Sequence, residues 1–293
     1  MSNLEASYKL ILKELIKISG VENFYFKPIK PKLSDLELIS LVVLAEFKSI
    51  DSEHQLFREI KGLEIESKIE RSVYNRRKRK LFPFIEEIRM KMVQKFNESE
   101  RYFVVDSMPL EVCKISRSSR SKICKEADYA IPNKGFCASQ NLHFYGYKLH
   151  AVCSINGIFQ SIDLSPASVH DIHYLKDISS QLSDCVLLGD KGYLSQTIQI
   201  DLFNQFNIQL ETPKRINQKD YKPQFYLFKK YRKRIETLFS QLCDQFMIRR
   251  NYAKSFEGFK TRILAKITTL TTIQYFNKFI FNRNINSLKI NLV

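Results

Sequence analysis

The chain has 293 residues, 44% of them hydrophobic and 27% charged, with a formal net charge of +16. These fractions belong to a folded globular protein, and 8 Gly with 8 Pro are too few for a low-complexity or collagen-like chain. No apolar run approaches the roughly 18 residues a membrane span needs, and Glu5, Lys9, Lys13, Glu14 and Lys17 interrupt any signal-peptide core, so a cytoplasmic protein with no membrane segment is expected.

Residues 1–97 read as helical. Leu4, Tyr8, Ile11, Leu12, Leu15 and Ile16 recur at helical spacing, and Pro28 and Pro31 then break the chain. Ser34 and Glu37 have the spacing of a capping box that opens the apolar run to Phe47. Ile65, Ile69 and Val73 line one face of a further helix. Its other side carries Lys68, Arg71, Ser72, Asn75 and Arg76 and runs into five consecutive basic residues at 76–80. Pro83 opens a last helix with Ile85, Ile88, Met92 and Phe96 on one stripe. Short helices followed by a basic one suit a helix-turn-helix type DNA-binding domain. The plainer alternative is a helical bundle with a solvated basic face.

The polar stretch from Asn97 to Glu100 looks like a boundary. Beyond it, Tyr102 to Asp106 is a short apolar run ending in an acid. Phe144 to Ser154 and Ile158 to Leu164 form a hairpin around Asn156 and Gly157, the strongest turn signal in the chain. Pro166 to Leu182 reads as a helix, and Cys185 to Asp190 is a second apolar run ending in an acid. A helix near 195–206, a strand at Ile208 to Glu211 and a long helix from about Leu227 to Phe246 follow. This order predicts a mixed α/β sheet with flanking helices over residues 98–250. Residues 251–293 are expected to form a basic helical segment with an Asn-rich tail.

Charge is distributed unevenly. Residues 1–100 hold 19 basic and 16 acidic side chains, residues 101–212 hold 10 and 11, and residues 213–293 hold 18 and 4. A strongly cationic third needs polyanionic company, and nucleic acid is the default candidate. The six cysteines are widely spaced and include no C-x-x-C pair, so reduced thiols and no zinc site are expected.

Asp106 and Asp190 each end a run that reads as a buried strand. Ligands of open α/β sheets bind outside the carboxyl ends of strands, so neighbouring strands would project both carboxylates into one crevice. Two like charges that close call for a cation, and hard oxygen ligands suit Mg²⁺ or Mn²⁺. Glu236 lies on the rim of an apolar helix face formed by Phe228, Tyr231, Ile235, Leu238, Phe239, Leu242 and Phe246. There it could reach the same edge or, more plainly, pair with Arg232 one turn earlier.

The ordered set YFVVDS around Asp106, FYGYKLH at 144–150, LSPASVHD at 164–171, LLGDKGY around Asp190 and RKRIETLFSQL around Glu236 resembles the DDE transposases of bacterial insertion sequences. The resemblance covers about residues 100–250, with 83 residues between the aspartates and 45 between Asp190 and Glu236. It implies an RNase H-like fold and a polynucleotidyl transferase that cuts and joins DNA at element ends. It implies that Asp106, Asp190 and Glu236 hold two divalent ions, Mg²⁺ or Mn²⁺, and that the protein works on double-stranded DNA as at least a homodimer. Many relatives carry a Tyr seven residues before the Glu, an Arg four before and a Lys seven after. This chain has Lys229, Arg232 and Cys243 there, so only the Arg matches.

Arg71, Asn75, Arg76, Arg77, Lys78, Arg79, Lys148, His150, Lys191 and Arg232 are the expected DNA contacts. Lys148 and His150 alternate on one strand and share a face, at a scissile phosphate or simply at a sheet rim. His170 and Asp171 match the family pattern, but Ser168 and Asp171 also have helix-start spacing. Gly192, between Lys191 and Tyr193, is expected to supply an unusual backbone angle in a tight turn. Two readings compete with the transposase: a DNA-binding protein without catalysis, and an RNase H-like nuclease without strand transfer.

Overall fold

The computed structural model describes residues 3–26, 28–96, 100–178, 180–214, 221 and 223–292. Residues 97–99 of the expected boundary stretch lie outside them. The chain forms two compact units: Met1–Phe96 with Leu242–Asn251 and Glu257–Val293, and Asn97–Gln241 with Tyr252–Phe256.

The first unit is helical: α1 (Asn3–Ser19), α2 (Asp35–Phe47), α3 (Glu53–Glu59), α4 (Arg71–Lys80) and α5 (Phe82–Gln94), joined late in the chain by the long C-terminal helix. The capping box forms as expected. Glu37 N–H donates to Ser34 Oγ at 3.0 Å, and Ser34 N–H donates to Glu37 Oε2 at 2.6 Å. The basic helix is shorter than expected, because Lys68 ends a 3₁₀ turn and Ile69 is extended, at φ −153° and ψ 138°. Isoleucines 65 and 69 are still buried, so the stripe seen in the sequence packs without being continuously helical.

The second unit carries one mixed sheet. Its strands are β1 (Tyr102–Cys113), β2 (Asn133–Cys137), β3 (Leu142–Ser154) and β4 (Phe159–Pro166), then β5 (Cys185–Leu188) and β6 (Ile208–Glu211). Helices α6 (Tyr174–Ile178) and α7 (Gln196–Phe206) flank β5, and α8 (Tyr226–Asp244) belongs to this unit as far as Gln241. β1, β5 and β6 are parallel, β3 runs antiparallel to β1, and β4 and β2 both pair antiparallel with β3. Gly157, at φ +91°, makes the β3–β4 turn read from the sequence. The expected helix from Pro166 to Leu182 is mostly replaced. Pro166 still pairs in β4, and a 3₁₀ turn at Asp171–His173 precedes the five residues of α6.

Phe103 and Val105 of β1 pack with Val152, Leu187, Tyr174, Leu175, Ile178, Tyr193 and Leu202 on one face of the sheet. Side chains alternate along a strand, so Tyr102, Val104 and Asp106 belong to the opposite face. There Tyr102 meets two rings of α8, Phe228 at 6.3 Å and Tyr231 at 6.1 Å, and Phe159 stacks on Phe239 at 6.3 Å.

The last helix, α9 (Phe256–Phe279), corrects the view of residues 251–293 as a separate basic segment. From Glu257 on it belongs to the first unit. Residues 263–277 are buried on every side, with Lys266 paired to Glu46 at 2.5 Å. Thr261, Thr269, Thr271 and Thr272 return hydroxyl bonds to the helix's own backbone, as Thr269 does to Ala265 and Thr272 to Thr268. A helix of mixed composition can therefore be interior without a separate apolar stripe. No helix among the described residues is long and apolar enough to cross a membrane.

Candidate active site at the edge of the sheet

Strand register brings the two aspartates together. β1 and β5 pair in parallel from Tyr102 with Val186 to Val104 with Leu188, and then separate while β1 continues against β3 alone. Asp106 and Asp190 each lie two residues beyond that last pair, so they stand side by side where the strands part. Neighbouring strands are about 4.8 Å apart. Asp106 thus does not end its strand, as expected from the sequence, but marks the point where its partner leaves.

The electrostatics agree. Burial pushes the Asp106 carboxyl up to about 7. The Ser107 N–H, 2.8 Å from Oδ1, opposes this, while the charge of Asp190 and then that of Glu236 add to it and Arg232 counters them. Asp190 accepts from the Gly192 N–H at 2.7 Å and caps the 3₁₀ turn Lys191–Tyr193. A Cβ at Gly192 would come 2.9 Å from Asp190 Oδ1. Gly192 is therefore needed for space beside the carboxylate, not for the unusual backbone angle expected.

Glu236 is exposed on α8, beside the half-buried Arg232. Among the described residues no ion pair joins the two, so the plain helix salt bridge is not formed. Nor do any three His, Cys, Asp or Glu side chains among them make a ready-formed metal cluster. The donors nonetheless suit a hard cation. Two carboxylates are adjacent, a third acts on Asp106 through space, and carboxylate oxygens are hard ligands.

The other expected contacts divide. Lys191 is exposed beside Asp190. Lys148 is held by Asp171 at 2.9 Å and by the Val169 carbonyl at 3.0 Å, a pairing that sequence reasoning missed. The β3–β4 register carried a signal for it: Lys148 stands opposite Ser165, and the chain leaving β4 passes beside it. His150 is corrected: at 1% exposure it cannot meet DNA. It shares a face with Lys148 as expected, but that ring is covered by Tyr174, stacked at 5.1 Å, and Nε2 bonds Ser165 Oγ at 2.7 Å. Burial lowers its pKa to about 4, so the imidazole is neutral. His170, not Ser168, caps the turn, accepting from the Ile172 N–H at 3.3 Å. That turn packs on the Lys191–Tyr193 turn.

On α4, Arg71, Arg76 and Arg79 are exposed. Arg77 and Lys78 are corrected as phosphate contacts. Arg77 pairs with the buried Asp35 at 2.7 Å and donates to the Leu33 carbonyl. Lys78 is buried over the Tyr74 ring, and burial holds its pKa below the usual lysine value. The half-buried Asn75 donates to Glu53 at 2.6 Å.

The model of the family described as "Transposase DDE domain" matches residues 97–272, more than half of the chain. The chain belongs to the DDE transposase family. The match begins at the sheet unit and extends through most of α9. No curated protein matches the chain. Among solved structures it is similar to the "Mos1 transposase paired-end complex with left transposon end", with 14% identity, 86% of this chain and 80% of that chain covered, and a TM-score of 0.25. A superposition that loose says nothing of this chain's chemistry.

Proposed function

We propose that this transposase cleaves DNA at the ends of a mobile element and joins the freed 3′-hydroxyl to a target strand, with Asp106, Asp190 and Glu236 as its catalytic carboxylates. The observation that carries the proposal is the paired position of Asp106 and Asp190 where β1 and β5 part. The strand order β4-β3-β1-β5-β6, with one antiparallel member beside a parallel three, supports an RNase H-like reading of the sheet.

The three carboxylates would hold two divalent ions, Mg²⁺ or Mn²⁺. When bound, such ions activate the attacking oxygen and stabilise the leaving one. The chain's own residues prepare the site. Burial favours the protonated form of the Asp106 carboxyl, so a bound cation would have to take the place of that proton. Asp190 is fixed in orientation by the Gly192 N–H. Arg232 sets a positive charge beside the acids where a phosphate would arrive. Lys191 is exposed at the same edge, and Lys148, oriented by Asp171, is available for phosphate only if it leaves that pair. Arg71, Arg76 and Arg79 offer the DNA an uncommitted basic surface on α4. Two element ends must be held together, so the working form is at least a homodimer acting on double-stranded DNA.

The test is incubation of the purified protein with a plasmid carrying the flanking ends of its own gene. Cleavage should require Mg²⁺ or Mn²⁺, stop in chelator and yield joined products. Full activity in chelator would overturn the metal assignment, and cleavage without any joined product would leave a nuclease.

A further inference from the structure

We propose that Phe26 and residues 28–32 form a DNA-contacting arm. Phe26 and Ile29 would wedge against the bases of duplex DNA in the minor groove, while Lys30 and Lys32 neutralise its phosphates. The proposal rests on the reading of this chain as a protein that acts on DNA, and it adds a contact surface to that reading.

The loop is braced at both ends. Tyr25 Oη donates to the Lys80 carbonyl at 3.1 Å, and Arg77 donates to the Leu33 carbonyl at 2.9 Å, so both anchors lie on the last turn of α4. Phe24 stacks on Phe84 at 4.4 Å, its N–H donates to Asp35 at 3.2 Å, and Leu33 is fully buried. Between these anchors Phe26 is 92% exposed and Ile29 85%. Single exposed apolar side chains need no explanation. Here two large ones stand three residues apart, while their neighbours are covered: Phe24 is half-buried against Phe84, and Leu33 is in the core.

Composition names the partner. No acid occurs between Glu22 and Asp35, and Lys30 and Lys32 are exposed. Arg76, Arg79 and Lys80 are exposed on the adjoining helix. Docking two such arms on each other would bring like charges together, whereas a polyanion removes that cost. Pro28 and Pro31 restrict the backbone and deny it a helix, so the arm lacks the usual major-groove reading element. A narrow apolar-tipped segment with lysines suits the minor groove, where Phe, Ile and Pro side chains unstack base steps. Arms that enter the minor groove beside a recognition helix are a known arrangement.

The experiment compares full-length wild type, Phe26→Ala/Ile29→Ala and Lys30→Gln/Lys32→Gln on a short A·T-rich duplex carrying 2-aminopurine, by anisotropy over a salt series. Wild type should raise the 2-aminopurine emission and lose affinity to a minor-groove ligand such as netropsin. The apolar double variant should bind about tenfold more weakly with an unchanged salt slope and no rise in emission. The lysine variant should lower the slope by about 0.9 for each lysine. Phe26→Leu should restore part of the affinity, and unchanged melting of the apolar variant shows that its fold is intact.

Equal affinity and emission in wild type and the apolar variant would overturn the arm while leaving the transposase reading intact. Failure of wild type to bind any duplex would overturn both. Loss of a dimer, or of binding to anionic lipid vesicles, in the apolar variant without change on DNA would assign the tips to another copy or to a membrane, against the proposal.

Discussion

At the sheet edge Asp106 lies beside Asp190, partly buried, where packing gives a carboxylate no reason to be. On α4, by contrast, the fold consumes several of the polar and charged side chains that the sequence offers to DNA. Asp106 is partly buried with Asp190 beside it, an arrangement that raises its pKa and gains nothing for the fold alone. Arg77, Lys78 and Asn75 are placed as well as any surface side chain in the sequence, yet Asp35, the Tyr74 ring and Glu53 engage them. Misplaced acids in a basic protein are therefore stronger pointers to chemistry than abundant bases are to binding.

The sharpest break of that comparison is Asp106→Asn. It removes charge from the carboxylate site without touching any phosphate contact. Metal-assisted steps gain several kcal/mol, so cleavage should fall by about a thousandfold or more. Duplex affinity, read by gel shift, should stay within about twofold. Wild-type cleavage by this variant would remove Asp106 from the site.

Next comes Arg77→Ala. If Arg77 served only DNA, its loss would leave melting unchanged. Because it pairs with the buried Asp35, the variant should instead lose about 3 kcal/mol of stability in urea unfolding, the cost of stranding a buried charge. Asp35→Asn/Arg77→Met should recover part of that loss, since neither partner is then left charged.

These contrasts show what the sequence could carry. The capping box at Ser34 and the turn at Gly157 are local signals, and both appear in the structure where they were expected. The position of Asp106 beside Asp190 follows from register, which two short apolar runs suggest but do not fix. Lys148 and His150 show the limit. Their alternation puts them on one face, but only the packing of Tyr174 decides that this face is covered. The interior position of α9 was hidden for a similar reason. Lys266 counts as surface charge until Glu46, 220 residues away in the chain, is placed beside it.

A smaller effect sharpens the sheet-edge side through pH. The Asp106 carboxyl is raised in the folded state, so the folded chain holds a proton that the unfolded chain releases near pH 4. Its contribution to stability is fully present below about pH 4 and is lost as pH rises through about 7. Metal-free protein should thus lose stability across that window relative to Asp106→Asn, whose side chain does not titrate. Thermal melts of both at matched pH measure the difference. Adding Mg²⁺ above pH 7 should return most of it to wild type, because a cation replaces the missing proton. Parallel curves for the two proteins would mean that Asp106 does not carry the raised affinity.

The mildest effect tests the α4 side. Arg71, Arg76 and Arg79 are exposed, so they remain available to DNA when Arg77 and Lys78 are not. A side chain that only neutralises a phosphate releases counterions, and its loss lowers the salt slope of binding by about 0.9 without changing which sequence is preferred. A side chain that reads a base edge changes the preference as well. Single replacements of Arg71, Arg76 and Arg79 by Gln should leave melting within about 0.5 kcal/mol, as exposed substitutions do. Each should weaken binding, and Arg71 and Arg76 should narrow the gap between the element's own ends and random duplex. Lys78→Met should do the reverse, holding the salt slope constant because Lys78 is buried and holds no counterion to exchange. If Lys78→Met lowers the slope as much as Arg79→Gln does, burial does not separate structural from binding charge on this helix.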